Sequence, residues 1–243
     1  QILPRKSPRF GTLLGNPLSD IFRKVPTQRI THYVFGTLMT RLKGAFTIKA
    51  QLADIKSPPV WRRIRINGTA TFEDLHKALQ EAFGWLDYHL HVFEERDAEP
   101  DTSAGLQIGP YYLADDEWFD LYGKLPEDEA ETRLEAILPH YPRHLDYLYD
   151  FGDDWYHHLT VEAWQATPVR GAKYEILERH GAAPPEDCGG PWRFSQLRDC
   201  LAQAKKEGVD LEAYDPSDLR CDLDYAVAAL GANFNGSSGV CVG

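Results

Sequence analysis

Alternating apolar and polar residues predict two consecutive strands early in the chain. Residues 45–55 read AFTIKAQLADI, with apolar side chains at every second position, which is the period of a strand with one buried face. Residues 57–59, Ser-Pro-Pro, form a break, and residues 60–66 then alternate again. The second strand has Val60, Ile64 and Ile66 on one face and Trp61, Arg63 and Arg65 on the other. The Trp61 face is either an ordinary sheet surface, the favoured interpretation, or a stripe that contacts acids or phosphates.

Apolar residues at helical spacing predict a helix from Phe72 to Phe83. Gly84 follows as a typical C-terminal stop, and Thr71 with Asp74 forms a weak version of a capping box at the start. His76 lies within this helix, and we expect it at a surface or boundary position.

The later elements are predicted from shorter patterns. We expect strands at residues 106–113 and 174–177, helices at 127–138 and 223–230, and a helix that Ser195 caps and Gly208 ends. Residues 115–120 form an acidic connection that we expect to be solvated.

Residues 147–162, YLYDFGDDWYHHLTVE, predict a hairpin with an acidic tip. Residues that favour strands flank a break at residues 150–154, where Gly152 allows a positive φ and the Asp side chains can bond to nearby amides. Because side chains alternate along a strand, His157 shares the apolar face of Leu159 and Val161. The tip is either a solvated turn or a site for metal binding or acid–base chemistry. Taken by itself, this motif favours the solvated turn.

A His-x-His motif supplies two further candidate ligands, His89 and His91. In a strand both imidazoles point the same way, so they can meet one metal ion or one carboxylate. Two ligands do not complete a site, and the natural additions are His157 and one Asp of the hairpin tip. The predicted metal ligands are His89, His91, Asp150, Asp153 and His157. The motif by itself favours a structural role, so the site is a hypothesis.

A loop rich in proline and glycine, residues 182–192, carries the candidate general bases. Its Glu186, Asp187 and Cys188 are able to approach the histidines, and we assign the catalytic role to Glu186 or Asp187. In the alternative interpretation, the prolines only direct the chain into the next helix, while Trp192 fills a place in the core.

The charge distribution narrows the range of partners. The chain has 243 residues and a net charge of −11. Residues 1–43 hold eight of the 26 Lys and Arg and one of the 37 Asp and Glu, which leaves 18 basic and 36 acidic residues for the remainder. An acidic body repels phosphate backbones, so nucleic acid is not expected as a partner.

Composition favours a cytoplasmic protein without a membrane partner. No apolar run approaches the roughly 20 residues that span a bilayer, and the N-terminus lacks the apolar core of a secretory signal. The four cysteines, at positions 188, 200, 221 and 241, form no C-x-x-C pair, and we expect reduced thiols.

The predicted domain organisation has three parts. Residues 1–41 are basic, contain several prolines and show no sustained period, so we expect a poorly ordered leader. Residues 42–231 form the folded domain, and residues 232–243 a flexible tail rich in Gly, Ser and Asn. The single methionine, Met39, is expected to start the natural domain.

Five strings in a fixed order resemble the plasmid pRiA4b ORF-3-like family, whose members occur on plasmids and transposable elements and are largely uncharacterised. They are PVWRR at 59–63, the segment 72–85 ending in FGW, HLHVF at 89–93, YDFGDDW at 149–155 followed by His157, and PPEDCGG at 184–190. The resemblance spans about residues 42–230. It implies an α+β fold with a mixed, mostly antiparallel sheet, an early ββα unit and C-terminal helices, and a polar pocket where the motifs meet. Ala183 stands where many relatives have a cysteine, which puts a paired-thiol role of Cys188 in doubt.

Two functions are compatible with these motifs. The first is a binding or accessory module of a mobile element, which recognises a protein or small ligand through a surface containing Trp61, Arg63, Trp85 and Trp155. The second is a metal-dependent hydrolase with one divalent ion, zinc or manganese, in the His/Asp site. The sequence has no nucleophile elbow, Walker loop or H-E-x-x-H motif, which favours the binding module.

Overall fold

The computed structural model describes residues 44–96, 105–114, 119, 124–141, 145–210, 226–228 and 230. The predicted leader at 1–41, the tail at 232–243 and most of the acidic connection at 115–120 lie outside these residues, as do Cys221 and Cys241. Of the helix predicted at 223–230, residues 226–228 and 230 are described and are helical. In the described part of the chain, no helix is long and apolar enough to cross a membrane.

Eight strands form one sheet in the order β5-β4-β3-β6-β7-β1-β2-β8. The strands are β1 (Ala45–Lys56), β2 (Pro59–Asn67), β3 (His91–Glu95), β4 (Gln107–Gly109), β5 (Glu127–Asp128), β6 (Leu145–Tyr149), β7 (Trp155–Gln165) and β8 (Tyr174–His180). All neighbouring pairs are antiparallel except β4 and β5. The described helices are α1 (Phe72–Phe83), α2 (Leu134–Ile137) and α3 (Gly190–Lys206), with a 3-10 turn at Tyr111–Leu113. The predicted α+β class with a mostly antiparallel sheet is confirmed.

The early ββα unit is confirmed, because α1 follows the β1–β2 hairpin directly. Thr71 accepts a hydrogen bond from the Asp74 amide, and Asp74 accepts one from the Thr71 amide, so the capping box is complete. Gly84 ends the helix in the left-handed region at φ 78°, a conformation that glycine adopts without a Cβ penalty.

Helices α1 and α3 cover the same face of the sheet. Phe83 of α1 lies edge-on to His157, and Phe194 of α3 lies edge-on to Trp155. His157 and Trp155 share one face of β7, because side chains alternate along a strand. The main hydrophobic core therefore lies between this face and the two helices.

A buried arginine joins three elements within this core. Arg62 donates from Nε to the Ala82 carbonyl of α1 at 2.7 Å, and from Nη1 to the carbonyls of His180 and Gly181 after β8. Its guanidinium also lies 4.6 Å from the centre of the Phe83 ring. These bonds compensate the desolvation of the charge, which is otherwise costly in a protein interior.

The Trp61 face of β2 is an ordinary sheet surface with its charges paired. Arg63 forms ion pairs with Glu162 and Glu178, and Arg65 pairs with Glu175. Trp61 stacks on His180 with ring centres 5.1 Å apart. The favoured interpretation of this stripe agrees with the geometry.

Four local predictions are wrong. Helix α2 covers only Leu134–Ile137 of the predicted 127–138, because residues 127–128 pair as β5. Helix α3 begins after Gly189, five residues before Ser195, since Gly189 in the left-handed region starts the turn and Pro191 fits the first turn. Trp192 is 73% exposed and fills no core position. His76 is 3% exposed, so it is a core residue.

His157 has the environment of a permanently neutral imidazole. It is fully buried, and its Nδ1 lies 2.9 Å from the Trp155 carbonyl and 3.2 Å from the Tyr147 carbonyl. Two carbonyl acceptors assign the proton to Nδ1. Desolvation lowers the pKa of His157 from 6.5 to about 3.

This shift predicts that the protein becomes less stable as the pH is lowered. The folded pKa lies below the unfolded value, so the unfolded state binds the extra proton between pH 6.5 and about 3. As the pH is lowered through this window, we expect the free energy of unfolding to decrease. His157 alone contributes up to about 1.4 kcal/mol per pH unit. Urea unfolding at a series of pH values measures the slope. His157→Gln should flatten it and His140→Gln, at an exposed position, should not; equal slopes in both variants would contradict the assignment.

Candidate metal centre at the hairpin tip

The turn between β6 and β7 holds Asp150 in a fixed orientation. Asp150 has φ 61°, and its Oδ1 accepts hydrogen bonds from the amides of Gly152 at 2.9 Å and Asp153 at 3.3 Å. Its backbone carbonyl accepts a bond from the Asp154 amide at 2.7 Å. The left-handed residues of this turn are therefore Asp150 and Asp154 rather than the predicted Gly152. Asp150 Oδ2 is left to face the interior of the tip.

The loop before α3 docks against this turn and brings in Glu186 and Asp187. Asp153 Oδ2 accepts a hydrogen bond from the Gly189 amide at 3.0 Å. A Cβ at Gly190 would lie 2.7 Å from the Asp153 carbonyl oxygen, so only glycine permits this close approach. The close contact sets the loop beside the acidic tip.

Glu186 is oriented by two donors on one of its oxygens. Its Oε1 accepts hydrogen bonds from the Leu86 amide at 2.7 Å and from the Tyr149 hydroxyl at 3.1 Å. Burial, followed by the nearby Glu186 charge, raises the pKa of Tyr149, which keeps its hydroxyl a donor at neutral pH. Glu186 Oε2 accepts a longer bond from the Tyr149 hydroxyl at 3.4 Å and faces His89.

His89 lies at the centre of these carboxylates. Its Nε2 is 3.0 Å from Asp187 Oδ1, 3.6 Å from Asp150 Oδ2 and 3.8 Å from Glu186 Oε2. This nitrogen is buried and makes no hydrogen bond, because Asp150 and Glu186 lie beyond hydrogen-bond distance and the ion-pair contact with Asp187 lacks the required alignment. An unpartnered buried nitrogen among three carboxylate oxygens is an unusual arrangement, since buried polar atoms are normally hydrogen-bonded.

The distances from His89 Nε2 to Asp187 and Asp150, 3.0 and 3.6 Å, fit two neighbouring ligands of one metal ion. Nitrogen and oxygen ligands lie about 2.0–2.2 Å from a divalent transition metal, so neighbouring ligands are about 2.8–3.6 Å apart in tetrahedral or octahedral sites. Ligand atoms of His89, Asp150 and Asp187 all lie within 4.8 Å of one another. Asp150 has one oxygen bonded to the amides of its turn and the other toward His89, the arrangement by which outer contacts orient ligands.

Backbone strain coincides with this cluster. Asp187 has φ 55° and Asp150 has φ 61°, and the other non-glycine residues with positive φ in the described part of the chain are Asp87 and Asp154. Such conformations cost about 1–3 kcal/mol each and concentrate at ligand-binding sites. The two strained acids of the cluster are thus candidates for a functional role.

The structure brings together only part of the predicted ligand set. His89, Asp150, Glu186 and Asp187 converge, whereas His91 pairs with Glu129 and His157 is enclosed by Phe83 and Trp85. Strand β3 begins at His91, so the two histidines of the His-x-His motif are not neighbours on one strand face. Asp153 bonds to the Gly189 amide.

The predicted aromatic surface is also wrong in two of its members. Trp85 and Trp155 are buried at 6% and 2% exposure, and Trp85 donates from Nε1 to the Pro184 carbonyl at 2.8 Å. These rings therefore support the loop that carries Glu186 instead of facing a partner. Trp61 and Arg63 are half-buried on the other face of the sheet.

The structure describes two of the four cysteines, Cys188 and Cys200. Cys188 is buried, and desolvation, followed by the charge of Asp153, raises its pKa to about 12. Cys200 is half-buried against the core. The described residues contain no disulfide.

Sequence reasoning missed Tyr149, Asp87 and Glu129 as polar members of this region. The alternation of residues 85–91 carried a signal for Asp87, because 85, 87, 89 and 91 contact the interior while Leu86, Tyr88 and Leu90 are exposed. Glu129 lies in an isolated turn far along the chain, and no local pattern distinguishes it from a solvated acid.

The fold and these motifs define an α+β domain of one known family. Residues 44–221 match the family described as plasmid pRiA4b ORF-3-like protein, which is most of the chain. The chain belongs to this family.

Two relatives agree with this assignment. The uncharacterized protein y4hQ of Sinorhizobium fredii (strain NBRC 101917 / NGR234) is 35% identical over 156 residues, which is 63% of this chain and 72% of the relative. The crystal structure of a protein of unknown function, MM3350 from Methanosarcina mazei Go1, is similar with a TM-score of 0.59 and 26% identity. That match covers 80% of this chain and 93% of the other.

Proposed function

We propose that this protein is a metal-dependent hydrolase in which His89, Asp150 and Asp187 hold one divalent ion and Glu186 acts as general base. The observation that carries the proposal is the buried, unpartnered Nε2 of His89, with carboxylate oxygens of Asp187, Asp150 and Glu186 at 3.0, 3.6 and 3.8 Å. One imidazole nitrogen with several carboxylate oxygens suits zinc or manganese.

Solvent reaches the site from the Asp187 side. Asp187 is 71% exposed and His89 is partly exposed, while Asp150 and Glu186 are largely enclosed. A divalent ion held here would supply Lewis-acid chemistry, which lowers the pKa of a bound water and polarises a substrate oxygen. Glu186, held by Leu86 and Tyr149, is placed to take the proton as the water attacks.

Charge indicates the substrate class. Three carboxylates and one divalent cation leave the centre with about one net negative charge, in a body that is itself acidic. Neutral or cationic esters and amides therefore suit the site better than phosphate esters, which such a field repels.

A binding module is the second candidate, and exposed apolar residues favour it. Leu86, Tyr88 and Leu90 are 60%, 71% and 42% exposed. Their backbones are fixed to the candidate site: the Leu86 amide bonds to Glu186, the Tyr88 amide to the Tyr149 hydroxyl, and the Leu90 carbonyl to the Asp150 amide. Exposed aromatic and aliphatic side chains on a fixed loop are typical of a contact surface.

Metal analysis tests the proposed centre. The full chain is loaded with Mn²⁺ or Zn²⁺, desalted and measured by elemental analysis. We expect His89→Ala to lose about one equivalent of metal per chain relative to the wild type, because the nitrogen ligand is removed. The control His140→Ala, at an exposed position, should keep the wild-type content. A His89→Ala protein with undiminished metal would refute the centre.

Turnover separates the two candidate functions. A hydrolase is expected to cleave p-nitrophenyl acetate or an aminoacyl p-nitroanilide in a reaction that EDTA abolishes. Glu186→Gln should lose turnover while it retains metal, because the amide does not accept a proton at neutral pH. Full metal content without turnover on either compound would favour the binding module, and Tyr88→Ala would then be the variant that loses partner contacts.

A further inference from the structure

A second group of metal-ligand side chains lies beside the first but uses different residues. His76 is on α1, Asp87 is in the loop after it, and His91 begins β3. One ligand atom of each lies within 4.8 Å of the other two. In the described part of the chain, this group and the His89 cluster are the two sets of three such residues that meet this distance.

Both histidines of the second group are buried and oriented by outer contacts. His76 and His91 are each 3% exposed. His76 Nδ1 lies 2.8 Å from the Tyr147 hydroxyl, and His91 Nε2 lies 2.8 Å from Glu129 Oε2. Metal-ligating histidines are typically fixed in this way, with the second ring nitrogen bonded to a carboxylate or another polar group.

Of the two remaining ring nitrogens, one has no hydrogen-bond partner and the other contacts a carboxylate. His91 Nδ1 is buried and has no hydrogen-bond partner. His76 Nε2 contacts Asp87 Oδ1 at 2.9 Å, a separation that also fits two neighbouring ligands of one ion. Asp87 has φ 58° and its side chain is about half exposed, so water can reach the group from this side.

We propose that His76, Asp87 and His91 form a second divalent-cation site with two histidine ligands and one carboxylate. This donor set, with the other coordination positions open to water, suits Fe²⁺, Mn²⁺, Co²⁺ or Zn²⁺. Glu129 and Tyr147 are positioning residues that fix the two rings. The inference rests on these side chains alone and does not require the proposed hydrolase.

The stacking of the two rings gives the site a specific signature. The imidazoles of His76 and His91 are parallel within 4°, with centres 3.6 Å apart. The lone pair of a ring nitrogen lies in the plane of its ring, so the lone pairs of two parallel stacked rings do not converge on one point. Both rings must therefore tilt when they bind one ion. Titration of ¹⁵N-histidine-labelled protein with diamagnetic Zn²⁺ should therefore shift the ring nitrogen signals of both His76 and His91 together. Unchanged signals of both rings at saturating Zn²⁺ would overturn the proposal.

Metal stoichiometry provides the decisive test with a variant that preserves the fold. Asp87→Asn removes the anionic ligand at a half-exposed position, and Asn tolerates a positive φ nearly as well as Asp. We expect Asp87→Asn to bind about one equivalent of Mn²⁺ or Zn²⁺ less per chain than the wild type. The matched control is Asp154→Asn, which changes another exposed Asp with φ 55° outside both groups, and it should keep the wild-type metal content.

The outcomes distinguish this site from the His89 centre. Loss of one ion in Asp87→Asn but not in Asp154→Asn supports the second site, whatever His89→Ala does. If Asp87→Asn keeps the full wild-type content, the second site is excluded even where His89→Ala loses an ion. If Asp154→Asn loses as much metal as Asp87→Asn, the effect comes from the backbone and the proposal is equally overturned.

Discussion

Asp150→Asn should weaken metal binding at the His89 centre by on the order of 100-fold or more while leaving the hairpin folded. The two oxygens of Asp150 have separate tasks: Oδ1 accepts the Gly152 and Asp153 amides, and Oδ2 faces His89 at 3.6 Å. The asparagine carbonyl keeps the first task, but its amide places a neutral NH₂ donor where the ion needs an anionic ligand. Changes to outer-shell partners alone cost about 10- to 100-fold in affinity, so loss of a direct ligand should cost at least as much.

Isothermal titration with Mn²⁺ or Zn²⁺ measures this effect. Asp153→Asn is the matched control, because Asp153 belongs to the same turn and bonds to the Gly189 amide without facing His89. We expect its affinity to stay near the wild-type value and its thermal transition to match that of Asp150→Asn. If both variants bind the ion as tightly as the wild type, Asp150 is a turn residue only.

Trp155→Ala should lower the free energy of unfolding by about 3–5 kcal/mol, as expected when a large aromatic side chain is removed from a core. Trp155 is 2% exposed, packs edge-on to Phe194 of α3 at 6.2 Å and lies 6.1 Å from the Trp85 ring. Removal of the ring leaves a cavity next to Trp85. Trp85 in turn supports the loop that carries Glu186, because it donates a hydrogen bond to the Pro184 carbonyl in that loop. Urea unfolding followed by far-UV circular dichroism gives the change.

The tryptophan at 192 offers a control of the same residue type. Trp192 is 73% exposed in the first turn of α3, and surface substitutions usually change stability by no more than about 0.5 kcal/mol. A loss of similar size in Trp192→Ala and Trp155→Ala would show that burial does not decide the cost. The pair also tests whether Trp155 is a core residue or the contact surface that its motif first suggested.

One loop connects the two candidate cation sites. Residues 85–91 place Asp87 against His76, His89 against the acidic tip and His91 against Glu129. On the other side of the same loop, Leu86, Tyr88 and Leu90 are exposed. Occupation of either site should therefore restrict this segment, and amide hydrogen exchange of residues 86–90 should slow when metal is added.

The strands and the first helix were predictable because their patterns are local. Residues 45–55 and 60–66 alternate as strands do, and β1 and β2 follow these segments within one residue at each end. Thr71, Asp74 and Gly84 mark the ends of α1 through capping bonds that span only a few residues. The hairpin at 147–162 was found for the same reason.

The errors arose where a distant segment decided the outcome. The helical pattern predicts His76 at the edge between the buried and exposed faces of α1. In the structure its ring stacks on His91 and bonds to the Tyr147 hydroxyl, so it is buried. The burial of Trp85 and Trp155 is completed by distant segments, because Trp85 bonds to the loop before α3 and Trp155 packs on Phe194. The start of α3 was misplaced since Gly189 is fixed by Asp153, which lies 36 residues earlier.

The sequence by itself determined the family, the ββα unit, the hairpin and the identity of His89, Asp150, Glu186 and Asp187 as chemically suited side chains. Only the tertiary structure decided which of them meet, and it separated the two histidines of one motif between two clusters. The physical reason is that alternation and capping act over a few residues, whereas convergence depends on backbone contacts such as Gly189 to Asp153 and Leu86 to Glu186. These contacts join segments far apart in the chain, and their partners are fixed only when the sheet and its covering helices have packed.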